Sequence, residues 1–122
     1  MRFRLTVGVV AFVLPASAAA MPVDQFLAKA NALQAKGMLA MFSGDLKLLT
    51  STVKGDSLAL KGERDAAKAA HKTPPYCPPG PIQLGQNEIL AAMQAVPAAQ
   101  RARTDTRDAL RSYLAKRFPC TA

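Results

Sequence analysis

The chain has few of the residues on which catalytic and metal sites depend. Its 122 residues include one histidine, His71, and two cysteines, whereas a structural zinc site needs four such ligands. No glycine-rich phosphate loop or nucleophile elbow occurs, and the carboxylates stand singly among basic residues. The sequence therefore predicts no metal, no cofactor and no catalytic residue, although a nucleophile placed beside His71 by the fold stays open.

Long apolar runs are also scarce. The main candidate, residues 5–14, is about half the length of the roughly 20 residues that cross a bilayer. It follows a positively charged start and precedes small residues ending at Ala20, which is typical of a secretory signal peptide over residues 1–20. We expect cleavage between Ala20 and Met21, a periplasmic location and a single mature domain of residues 21–122 without a transmembrane segment. A retained N-terminal anchor is the alternative.

Basic residues outnumber acidic ones. The chain has 16 lysines and arginines against 8 aspartates and glutamates, and a formal net charge of +8. Most of this excess remains after Arg2 and Arg4 leave with the signal peptide. A positive field favours acidic partners, such as an acidic protein or an anionic envelope surface. We expect no nucleic-acid partner for an exported protein.

The two cysteines, Cys77 and Cys120, lie in the second half of the chain. Two cysteines in an exported protein most often form one disulfide. The loop from residue 77 to residue 120 is long enough for a disulfide to contribute about 4 kcal/mol by the chain-entropy relation. A reactive thiol is the alternative, but it needs a basic or helix-N-terminal setting. Neither setting is evident beside Tyr76 and Pro78, or after Pro119.

Apolar residues recur at helical spacing and no strand pattern appears, which predicts an all-α bundle of about four helices. The first helix is predicted over residues 23–36. Residues 38–42 are either a short helical turn or a buried connector. A second helix is predicted from residue 46 to about residue 71, although Gly55 and Gly62 leave two shorter helices as the alternative.

Five prolines follow the second helix, and they exclude helix and favour an extended segment. The third helix is predicted to begin after Gly85, with Glu88 in a capping position, and to end before Pro97. Thr104 is predicted to cap the fourth helix. The domain would thus consist of N-terminal helices (23–72), a proline-rich loop (73–85) and a disulfide-bracketed helical hairpin (86–120).

Three arginines at and before the last helix are candidate partner contacts. Arg103, Arg107 and Arg111 are four residues apart, so within a helix they would line one face. Either this face is solvated and balanced by Asp105 and Asp108, or it is a contact patch for an acidic partner.

The proline-rich loop supplies the other candidate contacts, Tyr76, Pro78 and Pro79. The tyrosine ring is either buried against the disulfide or presented on a rigid loop, where an aromatic side chain is a common anchor for a partner. Both possibilities are open from the sequence.

The cysteine-bracketed half resembles a family of small exported proteins, the immunity proteins of type VI secretion amidase effectors, of the Tai or Rap type. The resemblance implies a compact helical periplasmic protein with one intramolecular disulfide, often dimeric, that binds and blocks a peptidoglycan amidase. Such proteins are inhibitors and not enzymes. The lysine-rich residues 45–72 lie outside the resemblance. The matching residues are Tyr76-Cys77, Pro79, the apolar helix from Leu84 to Ala95, Pro97, Ala109-Leu110 and Phe118-Pro119-Cys120.

Two further function classes are consistent with the composition. A periplasmic chaperone or stress protein would use adaptable apolar contacts, for which Met38, Met41 and Met93 are candidates. An envelope-binding structural protein would use the positive charge.

Overall fold

The fold was examined in a computed structural model, which describes residues 20–121. The predicted signal peptide, apart from Ala20, therefore lies outside the described residues. These residues form no strand beyond one isolated antiparallel bridge between Pro22 and Asp105. The all-α prediction is confirmed. The four helices are α1 (Val23–Lys36), α2 (Gly44–Ala69), α3 (Gln86–Gln94) and α4 (Thr106–Arg117), with 3₁₀ turns at Gly37–Phe42 and Ala98–Gln100.

Helix α1 has the bounds that the sequence predicts. Pro22 precedes it and Asp24 lies in its first turn, where a carboxylate is favoured by the helix dipole. It ends at Gly37, whose φ of 59° lies in the left-handed region that glycine adopts without strain. Its buried face contains Val23, Phe26, Leu27, Ala30 and Leu33.

Helix α2 is continuous from Gly44 to Ala69, so the prediction of one long helix is confirmed. The Ser43 side chain caps it by accepting a hydrogen bond from the Asp45 N–H at 3.2 Å. The helix packs against both α1 and α4. This tertiary packing offsets the weak helix propensity of Gly55 and Gly62. No helix within residues 20–121 has the length and apolar character needed to cross a bilayer.

The segment before α2 forms a turn of helix, the 3₁₀ turn Gly37–Phe42, and the alternative of a buried connector is wrong. Met38 and Phe42 are 84% and 89% exposed. Burial requires a neighbouring element to cover these side chains, and none does so within the described residues. The apolar character of the segment therefore does not contribute to the core.

The predicted cap of α4 is wrong by one residue. Asp105 caps the helix, because its carboxylate accepts from the Asp108 N–H at 2.8 Å while its own backbone is extended. The Thr104 hydroxyl instead donates back to the Gln100 carbonyl at 2.9 Å.

The core lies where the four helices meet, and Val23, Leu60, Met93 and Leu110 are its most completely buried apolar side chains. The start of α3 is stabilised by Glu88, whose carboxylate accepts from the Gly85 N–H at 3.0 Å, as predicted.

The predicted disulfide is present. Cys77 and Cys120 are bonded with their Cα atoms 5.0 Å apart. The Cys77 N–H also donates to the Phe118 carbonyl at 2.8 Å. The proline-rich loop is therefore fastened to the end of α4 both covalently and by a backbone hydrogen bond.

Replacing both cysteines, as Cys77→Ala with Cys120→Ala, should lower the free energy of unfolding by about 4 kcal/mol, because the unfolded chain regains the entropy of a long open loop. Urea unfolding measures the change, and reduction of the wild-type protein with a thiol should reproduce it. An unchanged urea midpoint in both experiments would show that the bond does not constrain the unfolded chain.

Candidate functional site

Two of the three candidate arginines form ion pairs inside the molecule. Arg111 holds the Glu63 carboxylate with two hydrogen bonds, at 2.9 and 2.7 Å, and also contacts Asp108. Arg107 Nε lies 3.3 Å from Asp56 Oδ1. Asp56 and Glu63 belong to α2, so these arginines fasten α4 to α2. Arg103 lies in the turn before α4, and the expectation that all three arginines share one helical face is wrong.

The Tyr76 ring is buried, with 3% of its surface exposed. The Arg64 guanidinium lies over the ring, 5.1 Å from its centre. Burial raises the pKa of the Tyr76 hydroxyl, and the nearby positive charge of Arg64 opposes the rise. Among the six predicted contact residues only Pro79 and Arg103 are exposed, while Pro78, Arg107 and Arg111 are half-buried. The folded chain thus does not present the tyrosine to a partner.

Asp56 is the most buried charged group of the described residues, with no exposed surface. The Thr106 hydroxyl donates to its Oδ2 at 2.6 Å, and the same oxygen of Thr106 accepts from the Met21 N–H at 3.3 Å. Burial raises the pKa of Asp56, and the bond from Thr106 and the charge of Arg107 counteract part of that rise. The hydrogen bonds of Asp56 and Thr106 join α2 to α4 and to the segment before α1, so the contacts of this cluster hold the fold together. No group of three potential metal ligands occurs among residues 20–121.

An open apolar cavity lies between α1, α2, α3 and the 3₁₀ turn, and we call it the apolar groove. Its volume is about 630 Å³. The side chains that form its walls are mainly aliphatic and aromatic, and they include Phe26, Leu33, Leu49, Val53, Ile89 and Leu90.

One end of the apolar groove is bordered by exposed apolar side chains. Met38, Leu39, Met41 and Phe42 of the 3₁₀ turn are between 71% and 89% exposed, and Met41 also lines the groove. Contiguous apolar surface of this kind is uncommon on a monomeric protein and is characteristic of binding sites. Sequence analysis noted the apolar run but assigned it to the chain interior or to a turn.

A second cavity, the Tyr76 pocket, continues the apolar groove along α2. The two cavities share Val53 and Ile89, and the Tyr76 pocket has a volume of about 530 Å³. Its walls contain Tyr76 together with two basic side chains, Lys61 and Arg64. The proline-rich loop thus forms one wall of this cavity, although its tyrosine is covered.

Four exposed lysines of α2 follow each other at intervals of seven residues, and we call them the lysine row. Successive members are about 10 Å apart along the helix and drift by about 20° around it. None makes an ion pair within the described residues. Three of the four acids of α2, Asp45, Asp56 and Glu63, pair with Lys29, Arg107 and Arg111, and the fourth, Asp65, is exposed with no cation within 4.0 Å among these residues. The seven-residue spacing of the lysines can be read from the sequence, but the ion pairs formed by the acidic residues of α2 cannot. The row is Lys47, Lys54, Lys61 and Lys68.

The two central members of the lysine row lie at the cavities. Lys54 lines the apolar groove and Lys61 lines the Tyr76 pocket. The candidate site is therefore an elongated apolar cleft with a positive rim along one side and exposed apolar side chains at one end.

Asp56 and Glu63 should affect stability with opposite pH dependences. Burial raises the folded-state pKa of Asp56 above its ordinary 3.8, so its contribution is greatest below that value and is lost as the pH rises through the raised pKa. Hydrogen bonds from Arg111 lower the folded-state pKa of Glu63 below 4.5, so its contribution is present above 4.5 and is lost as the pH falls through the lowered pKa.

The measurement is urea unfolding between about pH 3 and pH 7 for the wild type, Asp56→Asn and Glu63→Gln. An acetylated Ala20 is kept ahead of Met21, so that Met21 retains its peptide N–H. Asp105 and Arg107, the other charges around Asp56, are unchanged in all three proteins. The stability difference from the wild type should change with pH in opposite directions for the two variants, and equal slopes would contradict these environments.

Comparison of the chain with protein-family models, with curated proteins and with solved structures found no match.

Proposed function

We propose that this chain is an exported protein that binds another protein in the apolar groove, and that the bound partner is an apolar segment carrying acidic side chains. The observation that carries the proposal is the exposed apolar side chains of the 3₁₀ turn beside the groove. Met38 and Phe42 add almost nothing to the core at 84% and 89% exposure. Burying a large apolar side chain contributes about 1.5–3 kcal/mol, which a partner would supply.

The acidic character of the partner follows from the lysine row. Its two central members lie at the cavities, and its charges have no acidic neighbour within 4.0 Å among the described residues. Rim charges of this kind speed association with a partner of opposite sign and disfavour partners of the same sign. A segment with apolar residues on one side and carboxylates on the other fits both features.

The resemblance of the cysteine-bracketed half to immunity proteins supports a cell-wall amidase effector as the partner, and inhibition as the result of binding. The disulfide between Cys77 and Cys120 is consistent with an oxidising compartment such as the periplasm. The disulfide and the prolines restrict the loop before binding, which reduces the entropy lost when a partner orders it. Inhibition would then follow from a rigid surface that covers the effector.

A general periplasmic chaperone is the second candidate function, because Met38 and Met41 are 84% and 72% exposed and methionine adapts to varied apolar surfaces. Met93 does not contribute to such a surface, since it is fully buried in the core. A chaperone would bind many unfolded proteins weakly, whereas an inhibitor would bind one folded protein tightly.

Replacing two exposed side chains, as Met41→Ser with Phe42→Ser, should weaken binding of a purified amidase effector by about tenfold or more, because Met41 lines the groove and both lose apolar area that the partner buries. Stability should change by less than about 0.5 kcal/mol, since neither side chain is part of the core. Isothermal titration with the oxidised protein measures the affinity, and peptidoglycan hydrolysis measures inhibition.

Leu48→Ser is the matched control, because Leu48 is an exposed leucine of α2 that lies outside the 3₁₀ turn and lines neither cavity. Lys54→Glu should weaken binding and Lys116→Glu, on α4, should not. Wild-type protein that protects many unfolded clients without inhibiting any amidase would favour the chaperone. A doubled mass that the double variant abolishes would identify a second copy as the occupant. Either result would contradict the proposed partner.

A further inference from the structure

Arg64 has a buried hydrogen-bond donor that nothing in the described chain accepts. Its Nε atom is inaccessible to solvent and has no hydrogen-bond partner among the described residues. Buried donors are nearly always paired in folded proteins, so an unpaired one requires an explanation. The guanidinium is held over the Tyr76 ring at 5.1 Å and lines the Tyr76 pocket.

The charges around Arg64 are also unbalanced. Lys61 precedes it by three residues on α2 and lines the same pocket. The neighbouring Glu63 is turned toward Arg111, which takes both of its oxygens. The Tyr76 pocket therefore places two cations among apolar walls without a carboxylate within 4.0 Å of either in the described residues.

We propose that Arg64 and Lys61 form a carboxylate-binding subsite that receives an aspartate or glutamate side chain of the partner segment. Because Arg64 Nε is inaccessible to solvent in the free protein, binding requires the guanidinium to turn toward the Tyr76 pocket, a side-chain change of the kind that is common on binding. The proposal rests on the proposed function and specifies the chemistry of the bound segment. A charge-assisted bond from a guanidinium is strong and geometrically specific, more so where apolar walls exclude water. Because the Tyr76 pocket and the apolar groove share Val53 and Ile89, one segment can occupy both cavities.

The test observes Arg64 directly and needs no natural partner. The probes are two capped tripeptides, acetyl-Leu-Glu-Leu-amide and acetyl-Leu-Gln-Leu-amide, added to the oxidised ¹⁵N-labelled protein. The glutamate peptide should shift the Arg64 Nε–H resonance, because the guanidinium exchanges its place over the Tyr76 ring for a bond to the carboxylate. The glutamine peptide should produce the same shift only at about a tenfold higher concentration. Arg64→Gln should remove the difference between the peptides.

Arg64→Lys is the second variant, since it keeps the charge and should keep only part of the preference for glutamate. Arg103→Gln, at an exposed arginine outside the pocket, should change nothing. Equal responses to the two peptides, or no response, would overturn the subsite. A response to decanoate but to neither peptide would indicate a lipid and would overturn the peptide ligand. An effector that binds Arg64→Gln as tightly as the wild type would overturn the subsite and leave the proposed function standing.

The start of the predicted mature chain is hydrogen-bonded to the cluster around Asp56. The Met21 N–H donates to Thr106 Oγ1, which in turn donates to the buried Asp56. The Met21 carbonyl accepts from the Thr106 N–H at 2.9 Å, and the Val23 N–H donates to the Thr104 carbonyl at 2.9 Å. These four hydrogen bonds thus hold Met21, with its backbone nitrogen, beside the Asp56 cluster.

We infer that signal-peptide cleavage adds a positive charge to this cluster. Hydrolysis by a signal peptidase consumes one water, breaks the Ala20–Met21 peptide bond and leaves an Ala20 carboxylate and a Met21 amine. The amine is protonated at neutral pH. Only the Thr106 hydroxyl lies between it and Asp56, whose one ion pair in the described chain is with Arg107. Processing would therefore stabilise the ionised carboxylate and lock α1 to α4.

Two chains test this inference, one that begins at Met21 with a free amine and one that keeps an acetylated Ala20 ahead of it. The chain with the free amine should have the higher urea midpoint at neutral pH. Its advantage should disappear as the pH rises through the amine pKa, which Asp56 should raise. Asp56→Asn should abolish the difference between the chains, and Asp24→Asn, an exposed control, should not. Equal midpoints, or a difference that survives Asp56→Asn, would overturn the inference.

Discussion

The pairing of α2 carboxylates with α4 arginines is the interaction on which the rest of the structure depends. Glu63 meets Arg111 in a two-bond contact, and Asp56 meets Arg107 without any exposure to water. A buried ion pair contributes little net stability, because desolvation opposes the attraction. Its effect is geometric: removing either partner leaves an uncompensated charge, so the pairs disfavour other alignments of the two helices. The same pairing engages two of the four acids of α2, and the exposed lysines of the helix form no ion pair within the described residues.

The disulfide provides a complementary constraint at the other end of the molecule. Cys77 is joined to Cys120, so the proline-rich loop cannot move away from the end of α4. That position keeps Tyr76 buried under Arg64, and the ring in turn orients the guanidinium in the Tyr76 pocket. The loop was predicted as a contact surface. In the structure its tyrosine instead lies under Arg64, a basic side chain that lines the Tyr76 pocket.

The parts of the fold that were predictable are those determined by neighbours in the chain. The bounds of α1 follow from apolar spacing and a proline and glycine at its ends, and the disulfide follows from the cysteine count. Exposure of Phe42 was not predictable, because it depends on which elements fail to cover it. The cap at Asp105 was missed because two adjacent residues could serve, and the choice depends on the backbone between the helices. The partner Asp108 was foreseen because it is three residues from Arg111, whereas Glu63 was missed because it is 48 residues away in the chain.

The walls of the candidate site belong to the core, whereas the exposed turn beside it does not. Phe26, Leu33 and Leu49 are buried in the core and also line the apolar groove. Phe42 contributes little to folding, and a polar residue in its place would leave the core intact while reducing the tendency to aggregate. Stability therefore does not explain why the exposed turn is apolar, whereas the proposed binding would.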